Sequence, residues 1–410
     1  MSKRVGNIYP KIIDIDNIKL AHKNAKKDKS FYSAVIKTDE NLDERANKIQ
    51  EMLKNHTYKV SQYKTSVIQD KNKKRILFKL PYYPDRIIQW AIMLQIEPIF
   101  RKTMTDFTCA SIPGRGIHQA SKMVDKWINT YPEETKYCLK FDIKKFYPSI
   151  NRSILKKLLR KKFKDKDLLI ELDKIIDSMD NCDLSNLNIP EEEKQWYMRP
   201  GKGIPVGSYL SQYLANYYLT FFDHWLKEDL HCKFVVRYMD DIIIFSNSKE
   251  QLWDWFKKIK IYLKEELDLD IKSNYQIFPT NIRGVDFVGY RHFIGYKLLR
   301  KSTLKTCKET AKKMENHNIS KQLPNNKLWC AWVSSIGWLR WCDGKTFYNK
   351  YYKNSIPIVN VYYNINKKGK YKKFNFQFFI YSNEIKKFQK KYFNSFYRKK
   401  YIIERKVFND

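Results

Sequence analysis

Arg237-Tyr238-Met239-Asp240-Asp241 lies between the apolar runs Phe234-Val235-Val236 and Ile242-Ile243-Ile244-Phe245. Strand residues alternate faces and tight turns accept Asp, so two short β-branched runs around Met-Asp predict a β-hairpin with an acidic tip. Such a tip suits a divalent cation. A third carboxylate ends another apolar strand far upstream, in Leu139-Lys140-Phe141-Asp142-Ile143. Carboxylates on neighbouring strands can hold two metal ions, one activating an attacking hydroxyl and one neutralising the departing oxygen.

A chain of 410 residues, 43% of them hydrophobic, can fill the cores of two or three packed subdomains. Lys and Arg number 79 against 44 Asp and Glu, a net charge of +35 that exceeds what solubility requires and favours a polyanionic partner, nucleic acid above all. No apolar run approaches the roughly 20 residues that span a bilayer, and Met1-Ser2-Lys3-Arg4-Val5-Gly6 lacks the apolar core of a signal peptide. The expectation is a cytoplasmic protein with no membrane contact. Its seven cysteines (109, 138, 182, 232, 307, 330 and 342) never form Cys-x-x-Cys, which argues against a zinc ribbon or a disulfide framework and for reduced, mostly buried thiols. His118 and His292 fit no metal-ligand spacing and are read as structural or solvent-facing.

Around this centre the chain is punctuated by loops and basic clusters. Residues 1–70 are polar and helical, with an amphipathic stretch from Asp43 through Leu53. Lys73-Lys74-Arg75-Ile76-Leu77-Phe78 is a basic cluster running into a strand, and Asp85-Arg86-Ile87 opens a helix. Ser111-Ile112-Pro113-Gly114-Arg115-Gly116 is a loop in which Arg115 could fix a phosphate or a base, followed by a helix from Ile117 to about Trp127. The acidic stretch from Asp165 to Glu193 reads as a variable polar excursion. Gly203-Ile204-Pro205-Val206-Gly207-Ser208 leads into one long helix whose Leu210, Leu214, Tyr217, Tyr218, Phe221 and Trp225 share a face. This loop lacks the Lys-Ser/Thr ending of a P-loop, which disfavours ATP hydrolysis.

A lysine-rich helix from Ser302 and an aromatic one around Trp329, Trp332, Ile336 and Leu339 predict a small helical subdomain. Residues 346–410 carry sixteen Lys or Arg against three Asp or Glu, and segments 358–365 and 371–380 read as a hairpin rich in Tyr and Phe. Interleaved lysines and aromatics suit single-stranded nucleic acid, and the rings could equally pack on the helical subdomain.

Taken in order, residues 70–345 resemble the reverse transcriptases. Phe141-Asp142-Ile143-Lys144-Lys145-Phe146-Tyr147 looks like the family's first catalytic motif, Arg237-Tyr238-Met239-Asp240-Asp241 like its second, and Gly203 to Gln212 like the loop and helix between them. Phe287-Val288-Gly289-Tyr290 resembles the hairpin that grips the primer end. The resemblance implies an α+β right-hand polymerase fold, with fingers, a ferredoxin-like βαββαβ palm, a helical thumb and a basic C-terminal extension. The expected divisions are 1–70 for the helical part of the fingers, 71–295 for fingers and palm, 296–345 for the thumb and 346–410 for the extension.

The resemblance further implies that Asp142 and Asp240 bridge two Mg²⁺ ions (or Mn²⁺), with Asp241 assisting and the backbone carbonyl of Ile143 as a further ligand. Tyr147 falls where the family places an aromatic steric gate against a ribose 2′-hydroxyl. Lys74 and Arg75 would take the triphosphate of an incoming dNTP, Arg86 and Arg115 would serve template or nucleotide, Val206 and Gly207 would line the nucleotide, and Lys272 would protonate pyrophosphate as a general acid or be an exposed strand-end lysine. Tyr238, Met239, Gly289, Tyr290, Lys305 and Lys308 would face nucleic acid.

Many reverse transcriptases have Pro-Gln-Gly where this chain has Pro205-Val206-Gly207. That departure resembles the enzymes of diversity-generating retroelements and the defence-associated, or unknown-group, bacterial enzymes. It implies reduced fidelity or unusual template use. Expected partners are a dedicated noncoding RNA template, a DNA primer or cDNA product, and an accessory protein or second copy. A noncatalytic RNA-binding scaffold and template-independent or protein-primed synthesis are the competing readings.

Overall fold

The computed structural model describes residues 4–70, 73–320, 325–353 and 355, together with the backbone strands 361–365, 371–373 and 405–408. The first two strands, β1 (Lys64–Asp70) and β2 (Lys73–Lys79), form an antiparallel hairpin. Next come β3 (Tyr137–Asp142), β4 (Phe234–Tyr238), β5 (Asp241–Ser246) and β6 (Gln276–Pro279), which share one sheet in the order β4-β5-β3-β6. Helices separate β3 from β4, β4 turns directly into β5, and the helix Lys249–Glu265 separates β5 from β6. Chain order βαββαβ with this strand order is the ferredoxin-like arrangement.

Strand β5 explains why the sheet forms here. It lies between β4 and β3, and Ile242, Ile243 and Ile244 are all fully buried, so both faces of the strand are covered. A central strand with two covered faces requires a continuous apolar run rather than alternation. Each isoleucine contributes roughly 1.5–3 kcal/mol relative to exposure. Helix Lys249–Glu265 lies against β3 and β5, with the Phe256 ring 6.0 Å from Phe141.

Chain contacts divide the molecule into two units, Met1–Ala120 with Glu134–Phe278, and Ser121–Glu133 with Pro279–Asp410. The sequence alone places the thumb boundary at 295/296. The second unit holds an antiparallel meander of β7 (Val285–Phe287), β8 (Tyr290–Phe293) and β9 (Tyr296–Leu299), followed by helices Lys301–Ile319, Asn326–Leu339 and Lys345–Tyr351. Trp332, Ile336, Met314, Tyr290 and Tyr352 build its core. Val361–Ile365 pairs antiparallel with Tyr371–Lys373, as the hairpin reading expects, and parallel with Arg405–Phe408, which it does not. Beyond residues 346–353 and 355 and these strands, the extension lies outside the described residues.

Two expectations are corrected. The helix after Ser208 is two helices, Tyr209–Tyr218 and Thr220–Glu228, joined at Leu219. The break rotates the buried face, so Phe222, Asp223 and Leu226 point inward while Phe221 and Trp225 stay partly exposed. The stretch after Asp165 is not a polar excursion. Asp165 caps a helix, Lys166–Asp177, that buries Leu168, Leu172, Ile175 and Ile176.

Candidate active site

Register brings the first and second acids together. Asp142 at the end of β3 is the direct partner of Asp241 at the start of β5, and residues opposite one another across an antiparallel pair share a face. Tyr238 pairs with Asp241, leaving Met239-Asp240 as a two-residue hairpin loop. Met239 has φ +58°, a left-handed conformation usually given to Gly or Asn. The Ile143 N–H donates to the Asp240 carbonyl (3.2 Å), tying the loop to the chain just past Asp142.

The strained turn is held from beneath by Arg237, whose side chain is fully buried. Its Nη1 donates to the Met239 carbonyl (2.9 Å) and to Asn216 Oδ1 (3.1 Å). Its Nε and Nη2 form a bidentate pair with Asp223 (2.7 and 2.5 Å), which is equally buried and also accepts from Thr108 Oγ1 (2.8 Å). A planar guanidinium with five donors can serve all these acceptors at once. Asn216 and Asp223 stand on the two helices that meet at Leu219, and two polar residues within this apolar stretch are the sequence signal for a buried polar partner. The motif Arg237-Tyr238-Met239-Asp240-Asp241 by itself assigns Arg237 no role.

Above the turn, Lys272 Nζ lies 3.1 Å from Asp142 Oδ2 and 4.0 Å from Asp240 Oδ2. Backbone bonds fix it there, with Lys272 N–H donating to the Asp142 carbonyl (2.9 Å) and Lys144 N–H to the Asp270 carbonyl (2.7 Å). Of the two readings of Lys272, the structure places it at the carboxylates rather than at a free strand end. Asp241 Oδ2 lies 3.7 Å from Lys140 Nζ. Burial, and then the neighbouring Asp142 charge, raises the Asp240 carboxyl above the ordinary carboxylate range, against the pull of Lys272 and Arg75.

These residues fit divalent ions. Two carboxylates converge on one ammonium, that of Lys272, and a divalent cation could take the same position between them. Among the described residues no group of three His, Cys, Asp or Glu forms a complete cage. Mg²⁺ is commonly held by one or two carboxylates with substrate phosphates and water supplying the rest, so an incomplete protein cage suits it.

Tyr147 stands on the short helix Phe146–Ser149, its Oη 3.8 Å from Met239 Sδ. Burial and then Asp240 raise its phenol well above the ordinary range, so it stays protonated. Arg75, exposed on β2, lies close enough for its charge to act on Asp240. Lys74 occupies the preceding position on β2, and its side chain lies outside the described residues. The Val206 carbonyl accepts from Phe78 N–H (3.1 Å), joining the loop to β2, and a Cβ on Gly207 would meet the Phe78 carbonyl at 3.3 Å. Arg86 is partly buried at the start of helix Ile87–Thr103, and Tyr238 is partly buried at the end of β4.

Packing bears on two of the expected contacts. Arg115 donates Nη1 to the carbonyls of Thr105 (2.5 Å) and Thr108 (2.8 Å), bracing its own loop. Tyr290 is fully buried in the second unit's core, its ring 5.3 Å from Trp338, so it cannot face nucleic acid. Gly289 packs under the same Trp338, where a Cβ would come within 2.6 Å of the ring. On helix Lys301–Ile319, Lys305 is exposed and Lys308 leans over the Tyr351 ring at 5.0 Å. His292 is structural, as expected. Six of the seven cysteines are buried, and Cys330 is exposed. No described helix is long and apolar enough to cross a membrane.

A ferredoxin-like sheet that sets one strand-end carboxylate opposite an Asp-Asp hairpin defines the palm of a nucleic-acid polymerase. The chain belongs to the reverse transcriptase (RNA-dependent DNA polymerase) family, whose model matches residues 68–292. Among curated proteins it is similar to the group II intron-encoded protein LtrA of Lactococcus lactis subsp. cremoris, 20% identical over 345 aligned positions that cover 69% of this chain and 54% of that protein. It is also similar to protein YkfC of Escherichia coli K12, 22% identical over 182 positions covering 44% of this chain and 42% of YkfC. The chain spans about half the length of the curated relatives it matches.

Proposed function

We propose that the protein is an RNA-directed DNA polymerase that copies a dedicated noncoding RNA into cDNA. The observation that carries this reading is the convergence of Asp142 and Asp240 on one cation position at the tip of a palm sheet. In the reaction a primer 3′-oxygen bonds to the α-phosphorus of a dNTP, the bond from that phosphorus to its bridging oxygen breaks, and pyrophosphate leaves with the electron pair. The hydroxyl proton passes to solvent.

Asp142, Asp240 and the Ile143 carbonyl would hold the metals, with Asp241 assisting. Bound Mg²⁺ supplies activation of the 3′-hydroxyl and charge neutralisation on the leaving group. Arg237 holds the turn so that Asp240 needs little reorganisation, which is where electrostatic catalysis gains most. Lys272 would give a proton to the departing pyrophosphate. Tyr147, protonated and braced on Met239, would exclude a ribose 2′-hydroxyl.

For biological role, antiphage defence is the reading we favour over mutagenic retrohoming. The strongly basic residues 346–410 suit a structured RNA, which a minimal retroelement enzyme has no need to hold. Val206 before Gly207 supports a relaxed-fidelity enzyme in either role. The test is to purify the chain from its own operon and sequence the copurifying nucleic acid beside an Asp240→Asn preparation. One enriched RNA, with complementary DNA only in the unsubstituted protein, is the expected result. Bound RNA without DNA in either preparation favours the noncatalytic scaffold, and DNA that resists alkali yet migrates with protein until protease treatment favours protein priming.

A further inference from the structure

We infer that the palm holds a second anion site, a pocket that receives free pyrophosphate after it leaves the catalytic carboxylates; this rests on the polymerase reading above. A cavity of about 510 Å³ opens beside β6, lined by Lys144, Lys260, Lys272 and the segment 273–275, with Phe256 and Ile271 as its apolar wall. That volume lies in the range of ligand pockets. Three cations and three neutral polar groups face it, and no acidic residue lines it. Such a lining recognises a small polyanion by charge-assisted hydrogen bonds.

Lys272 belongs both to this pocket and to the reacting centre, where its Nζ is 3.1 Å from Asp142 Oδ2. The strand order fixes the direction. Segment 271–275 leads into β6, and β6 flanks β3 on the side away from β5 and the Asp-Asp hairpin. Segment 271–275 of the pocket therefore lies on the side of Asp142 away from the hairpin.

A separate observation points the same way. Lys145, Lys144 and Arg199 crowd one ring, their charged groups 4.8, 5.3 and 3.9 Å from the centroid of Trp196. Three cations on one ring repel each other, and an anion held by Lys144 lowers that repulsion.

Two experiments on the full chain test the site. The first titrates inorganic pyrophosphate into the protein in EDTA by calorimetry. The expected result is one saturable site, weakened about tenfold by Lys260→Ala, retained by Asp240→Asn, and unchanged by Lys258→Ala, whose lysine pairs with Asp254 on the same helix. Binding that requires added Mg²⁺, or several equivalent sites that Lys260→Ala leaves alone, overturns the inference. The second measures pyrophosphate inhibition of primer extension. Inhibition noncompetitive with dNTP, with an inhibition constant raised about tenfold by Lys260→Ala, is expected; competitive inhibition shows that the anion binds only in the nucleotide's own place and overturns the pocket. A chain that incorporates no nucleotide on any template overturns the polymerase reading instead, and the metal-free titration still decides whether the pocket binds the anion.

Discussion

Two cations serve the catalytic carboxylates from opposite sides, and they are built in opposite ways. Arg237 is wholly buried, locked bidentately to an equally buried Asp223, and touches the hairpin only through a backbone carbonyl. Lys272 keeps about a third of its side chain exposed (31%) and meets Asp142 and Asp240 directly. The first is a permanent part of the framework. The second is a resting counter-ion, free to exchange partners when metal and substrate arrive. Position relative to water, more than charge, separates a residue that holds a site from one that takes part in it.

Removing the group both cations serve has the largest effect. Asp240→Asn or Asp142→Asn should lower primer extension by at least about 10³-fold while leaving RNA affinity within about twofold, because metal stabilises both oxygens of the displacement. Parallel extension and filter-binding assays check this.

Breaking the buried side comes next. Arg237→Met should destabilise the first unit by about 3–5 kcal/mol, since Asp223 is left charged and unpaired. Arg237→Met with Asp223→Leu should recover most of that stability in denaturant titrations, yet remain about 10–100-fold slow in kcat because the Met239 turn has lost its clamp. Full recovery of kcat along with stability would reduce Arg237 to a fold residue.

On the exchangeable side the pattern should invert. Lys272→Ala should change stability by less than about 1 kcal/mol, as a partly exposed pair is screened by solvent. Its kcat should fall about 10²-fold with little change in the KM for dNTP, and Lys272→Arg should restore only part of it. Pre-steady-state single-nucleotide incorporation separates these parameters.

The smallest effect contrasts the two units. In the second, His292 is fully buried with Nδ1 2.6 Å from Asp125, which also accepts from Lys297 (2.5 Å). Burial lowers the His292 pKa despite Asp125, with Lys297 adding to the shift; Asp125 is lowered too, because His292 and Lys297 outweigh its own burial. A depressed histidine contributes stability that is whole above its unfolded pKa, about 6.5, and declines as pH falls below it. A depressed carboxylate contributes stability present above its unfolded pKa and lost as pH falls through its folded one, so both act in the same direction. Thermal melts between pH 7.5 and pH 5 should show the loss beginning in the upper part of this range, and His292→Phe should flatten it.

The sequence was most readable where chemistry is local. The apolar run of β5, the acids beside it and the Gly-rich loop could be found because each depends on neighbours in the chain. Arg237 could not be assigned, since the side chains it binds lie 14, 21 and 129 residues away. Tyr290 was misread for a related reason. A hairpin aromatic looks the same in sequence whether it faces a ligand or its own protein, and only packing showed that Tyr290 fills a core. Helix Lys166–Asp177 was missed because its charged face dominates the composition while its buried leucines and isoleucines are spread at helical intervals.

The register that sets Asp142 opposite Asp241 also limits how this gene can change length. Side chains alternate along a strand, so inserting or deleting one residue between Tyr137 and Phe141 would turn Asp142 to the opposite face of the sheet while every apolar neighbour also changed sides. Substitutions there can be graded, but single-residue indels cannot. Frame-preserving length variation in descendants of this chain should therefore be confined to its loops.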